Sequence, residues 1–117
     1  MKISTGKAGS LFRIESHGTV SKEEILEAGR RIENDADYRS AKGVVVVLSD
    51  VQWRLSGADV ERLATMHRLR AIRWAAVTQE DLSYGIARQF AALASDGASL
   101  QVFKTEKDAA LWALGTH

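Results

Sequence analysis

The chain has 117 residues, 45% of them hydrophobic and 26% charged, with a net charge of +1. That length holds one domain with a real core, residues 1–117, and is too short for two. The near-neutral balance excludes a global field drawing the protein to nucleic acid or anionic lipid, and the absence of cysteine excludes disulfides, thiolate nucleophiles and zinc–thiolate sites.

Met1–Ser10 lacks the apolar core of a signal peptide, and no later run approaches transmembrane length. These features fit a cytoplasmic protein with no integral membrane segment. Met1 to Thr5 is compatible with a short edge strand. Leu11-Phe-Arg-Ile-Glu15 alternates apolar and polar residues and predicts a strand with one covered face. Ser16-His-Gly18 then reads as a turn. Ser21 with Glu24 forms a capping signature, and Ile25, Ala28, Gly29 and Ile32 make one apolar stripe at helical spacing. Gly29 on that stripe implies close approach of helix to sheet. Asn34 to Asp37 ends this helix, and Tyr38 to Lys42 leads into the next strand.

Gly43-Val-Val-Val-Val-Leu-Ser-Asp50 is the stretch around which the fold is organised. Four valines and a leucine leave nothing polar to face water, as in a central strand of a parallel sheet covered on both sides. Val46 is mid-strand, so an aspartate there is expected to be among the most damaging single changes. Ser49-Asp50 bounds the run. Ser56 and Asp59 cap a second helix running to about Ala71, with Val60, Leu63, Ala64 and His67 along one face. Trp74 to Thr78 is a third strand. Asp81 or Ser83 opens a third helix carrying Ala87, Phe90 and Ala94, closed by Asp96-Gly97. Leu100 to Phe103 is a fourth strand, and Thr105 with Asp108 caps a last helix holding Ala109, Trp112 and Ala113. The result is an α/β fold of four βα units, forming a mainly parallel sheet flanked by helices.

Catalytic and cofactor motifs are missing. The first βα turn is not a glycine-rich dinucleotide loop, and no Walker sequence occurs. Asp50 stands where open α/β sheets place their ligand crevice. A receiver-type phosphoacceptor would need a second acidic group at the end of the first strand, where Ser16 and His17 stand instead. Asp50 therefore reads first as a loop or cap residue. His17, His67 and His117 are too scattered for a metal site, and none is expected. His17 is the one histidine near a crevice, but the sequence shows no carboxylate partner for it, so no enzyme and no cofactor are expected. Arg62, Arg68, Arg70 and Arg73 crowd one helix and its exit, where arginines complement the helix dipole. No nucleic-acid partner is expected, because such binding needs a wider basic surface with stacking aromatics. Trp53, with Arg54 beside it, either lines a pocket or interface or covers the sheet edge. Trp53, Arg54, Asp50 and His17 are thus the candidate binding residues.

Several pieces resemble a known group. The capped helix after Gly18, then Tyr84-Gly-Ile-Ala-Arg88 with Phe90, then Val102-Phe103 leading to Ala109, Ala110, Leu111 and Trp112 resemble the SpoIIAA-like family, related to STAS and CRAL-TRIO domains. The resemblance spans roughly Leu11 to Leu114 and implies a small bacterial protein with a βα superhelix. Among STAS relatives it implies protein-binding regulation through a phosphorylated serine at the start of the helix after the central strand. Ser56 matches that position, but Leu55 and Gly57 replace the expected aspartate and second serine. Ser56 is therefore expected to cap a helix and not to be phosphorylated.

Two functions remain open. The first is a non-enzymatic regulatory or interaction module with a protein partner, for which a homodimer is one arrangement. The second, implied by the CRAL-TRIO kinship, is a binder or sensor of a small apolar, lipid-like ligand. An exposed apolar patch around Trp53 without a cavity would favour the first, and an enclosed apolar pocket the second.

Overall fold

The computed structural model describes residues 2–66, 72–93 and 99–115. His67, Arg68, Arg70, Ala71, Ala94, Asp96, Gly97 and His117 lie outside the described residues, as does the side chain of Ala64.

Five strands form one sheet in chain order: β1 (Lys2–Ala8), β2 (Leu11–Ser21), β3 (Gly43–Arg54), β4 (Arg73–Val77) and β5 (Ser99–Phe103). β2 to β5 run parallel, and β1 pairs antiparallel along the outer edge of β2. The α/β class is as expected, with the edge strand added. β1 is joined to β2 by a two-residue turn in which Gly9 has a φ of 64°, the positive value that the first loop position of such hairpins takes. The helices are α1 (Lys22–Glu33), α2 (Ala36–Ser40), α3 (Gly57–Met66), α4 (Asp81–Leu93) and α5 (Glu106–Ala113).

The caps read from the sequence are formed. Ser21 Oγ accepts from the Glu24 amide at 3.3 Å, and Thr105 Oγ1 accepts from the Asp108 amide at 3.3 Å. Each satisfies a donor that the first helical turn leaves without a partner.

The core has two halves, one on each side of the sheet. On one side Leu11, Val45, Val47, Ala75 and Val77 meet Ala109 and Ala113 of α5. Gly43 lets α5 come this close: a Cβ there would stand 2.5 Å from the Ala113 carbonyl oxygen. On the other side Phe12, Ile14, Val44 and Trp74 pack with Tyr38 and Ala41. Tyr38 belongs to α2, a short helix capped by Asp35 within the stretch that leads into β3, and its ring lies against Phe12 and Trp74 at 5.7 and 5.8 Å. A buried aromatic between two others repays ordering these five residues. α1, α3 and α4 cover the same side.

Two expected boundaries move. Ser16-His-Gly18 is not a turn, and β3 does not stop at Ser49-Asp50. Both strands continue through a bulge in which His17 alone lies between the pairs Ser16↔Leu48 and Gly18↔Val51, opposite two residues, Ser49 and Asp50. Asp50 takes a φ of 49°, a conformation that aspartate tolerates better than most residues. The extra residue changes the phase of β3. Before it, Val44, Val46 and Leu48 face α1, α3 and α4; after it, Trp53 and Leu55 do.

Candidate apolar binding site

The re-phased end of β3 lines a cavity. Val46, Leu48 and Trp53 of β3, Leu55 just after it, Trp74 and Ala76 of β4, and Leu100 of β5 form its floor. Ile25 of α1, Val60 and Leu63 of α3, and Ile86, Ala87 and Phe90 of α4 form its walls. Its volume is about 230 Å³, it is half open to solvent, and its lining is almost wholly apolar. A second space of about 180 Å³ adjoins it under α1, where Ile14, Val20, Ala28 and Gly29 join Ile25, Val46, Leu48 and Trp53. Gly29 was expected to mark close contact between helix and sheet. It is buried, yet it faces this space.

Trp53 stands between the two spaces. It is half-buried, and its indole N–H donates to Ser83 Oγ at 2.8 Å. Ser83 is buried in the first turn of α4, so the bond ties the far end of β3 to that helix. Val46, expected to be fully buried, is only half-buried because it looks into both spaces; Val44, Val45 and Val47 are the buried members of the run, at 0%, 3% and 9% exposure.

The other candidates lie elsewhere. Arg54 follows Trp53 on the strand, so it projects from the opposite face and is exposed. Asp50 is exposed; its amide N–H donates to Glu80 Oε1 at 3.1 Å, so the capping runs opposite to that expected. Asp50 and Glu80 border an open groove of mixed lining with Thr78, Lys104, Thr105 and Glu106, beside the bulge of β3 and at the carboxyl ends of β4 and β5. Lys104 is already held there, 3.9 Å from Asp81 and 4.5 Å above the Tyr84 ring.

His17 does have a carboxylate partner. Its Nε2 lies 2.7 Å from Glu15 Oε2, while Arg13 donates to the other Glu15 oxygen at 2.7 Å and also bonds Glu106. The sequence does not advertise this pair as a site because i and i+2 on a strand share a face with any side chain. Arg13, and after it His17, hold the Glu15 carboxyl below the usual carboxylate range. Among the described residues no group of three or more histidine, aspartate or glutamate side chains stands close enough to hold a metal ion.

Of the arginines, Arg73 donates to the Trp112 carbonyl at 2.8 Å and stacks on that ring at 5.2 Å, fastening β4 to the end of α5. Ser56 caps α3 reciprocally: its Oγ accepts from the Asp59 amide at 3.1 Å, and its own amide donates to Asp59 Oδ2 at 3.0 Å. No described helix is long and apolar enough to cross a membrane.

No family model matches the chain, and no curated protein does. A solved structure does: an uncharacterised protein of the DUF3478 family from Shewanella loihica, described as having a SpoIIAA-like fold. It is 14% identical, the match covers 96% of this chain and 92% of that one, and the TM-score is 0.59. At that identity the similarity speaks for architecture alone. The sheet, its helical cover and this neighbour together make the fold of the chain SpoIIAA-like.

Proposed function

We propose that the protein is a non-catalytic binding module that takes a small apolar ligand in the crevice centred on Trp53. The observation that carries this reading is the half-open apolar cavity of about 230 Å³ between β3, α3 and α4. Filling it would remove apolar surface from water at roughly 25 cal/mol per Å², on walls already formed by the core. The Trp53 indole N–H is satisfied by Ser83 and the lining is otherwise almost wholly apolar, so little in the crevice favours water.

Native mass spectrometry of protein purified from its own cells tests the proposal, together with titration by N-phenyl-1-naphthylamine, a neutral fluorophore. Retained apolar mass, or a saturable fluorescence rise lost in Leu63→Lys, supports it. A bare chain that leaves the fluorophore dark overturns it.

A second reading rests on a separate observation. Leu111 and Leu114 are 45% and 46% exposed, one turn apart at the end of α5, on the opposite side of the sheet. They favour an interaction module that meets a protein partner or a second copy of the chain through α5. The same spectrum reads its oligomeric state.

A further inference from the structure

The two apolar spaces do not end under α1. The second shares Ile3, Ala28 and Ile32 with a third, of about 170 Å³, whose lining turns polar with Thr5, Arg31 and Asp35. Ile3 and Thr5 face this way because they pair with Ser16 and Ile14 of β2. Shared lining residues thus set the three spaces in a row, from the α3–α4 cavity past Trp53 and α1 to the β1 edge. Ile25 at the junction and Arg31 at the far end are six residues apart on α1, about 9 Å along its axis.

Among the described residues the polar end is lined by one cation. Arg31 is exposed, and no described carboxylate lies within ion-pair distance of it. Asp35 is the one acid in the lining, and its Oδ1 is engaged as the cap of α2, accepting from the Asp37 amide at 2.9 Å. Position in the last turn of α1 accounts for a positive charge there. It does not account for a guanidinium facing the polar end of an apolar crevice. A bidentate guanidinium–carboxylate pair is the natural complement to such a group.

We propose that the ligand is a single-tailed amphiphile with an anionic head, its carboxylate paired with Arg31 and hydrogen-bonded by Thr5, its hydrocarbon tail running under α1 to Trp53. This rests on the apolar-ligand reading above and adds the head-group site. A single tail suits a path bounded by one helix on one side and the sheet on the other.

Decanoate and decan-1-ol are the probes, displacing N-phenyl-1-naphthylamine from the full chain at low and moderate salt. Decanoate is expected to bind the parent about tenfold more tightly than decan-1-ol. Arg31→Gln should lose that factor for decanoate and leave decan-1-ol unchanged; Arg31→Lys should restore part of it, with a stronger salt dependence. Circular dichroism confirms folding, which a substitution at an exposed site should not alter. If both probes bind, equally in parent and Arg31→Gln, the head-group assignment is overturned and the apolar-ligand reading stands. If neither binds the folded parent, both are overturned.

Discussion

Trp53 and Ser83 are thirty positions apart in sequence, and the indole N–H of one donates to the hydroxyl of the other at 2.8 Å. The bond joins the re-phased end of β3 to the first turn of α4, beside the apolar crevice. Because Ser83 is buried, Ser83→Ala leaves an indole donor without its partner and should cost about 1–3 kcal/mol. Trp53→Phe removes the donor instead. The double variant should be more stable than the sum of the two single losses requires, and a double-mutant cycle by urea denaturation measures that coupling. Additive losses would mean that the bond carries no energy. Trp53→Ala should cost about 3 kcal/mol and enlarge the crevice.

Gly43 meets a different constraint. A methyl there would stand 2.5 Å from the Ala113 carbonyl oxygen, and backbone at a helix end cannot turn aside as a side chain can. Gly43→Ala should therefore destabilise by about 1–3 kcal/mol although alanine suits a strand's φ and ψ. A melting temperature equal to the parent's would show that α5 does not sit this close.

The valine run ranks its own members. Val45→Asp would bury a charge among Leu11, Ala75 and Ala109, without a counter-ion, and should unfold the domain or cost several kcal/mol. Val46→Asp faces the half-open crevice, where water can reach the carboxylate, and should be markedly less damaging. Chemical denaturation of both variants gives the order; the reverse order would refute the placement of the cavity.

Ser56→Ala should cost about 1 kcal/mol, the usual worth of a helix amino-terminal cap. The partner group adds a pH dependence. The Ser56 amide, donating to Asp59, holds that carboxyl below its usual range, as Arg13 does for Glu15. A carboxyl whose folded pKa is depressed binds fewer protons folded than unfolded. Its contribution is thus complete above the unfolded value of about 4 and is lost as pH falls from there through the folded value. Asp59→Asn should accordingly be less stable than the parent at pH 7 and approach it below pH 4, as read by thermal melts across that range. A gap that stays constant with pH would exclude a role for the ionised carboxylate.

Local signals in the chain settle the order of strands and helices. The valine run, the caps at Ser21, Ser56 and Thr105, and the change from period two to helical spacing all depend on residues within a few positions of one another. They therefore predict the parallel sheet and its helical cover. β1 is weakly marked because an edge strand exposed along most of its length needs no apolar alternation. What Trp53 faces is decided only in three dimensions. Simple alternation from Val46 would send it to the α5 side, and the single extra residue of the bulge at His17, Ser49 and Asp50 turns it to the other. The same holds for the His17–Glu15 pair and for the crevice, whose walls come from β3, β4, β5, α1, α3 and α4. Local sequence encodes which elements form, whereas an empty volume belongs to the way distant elements fail to fill the space between them.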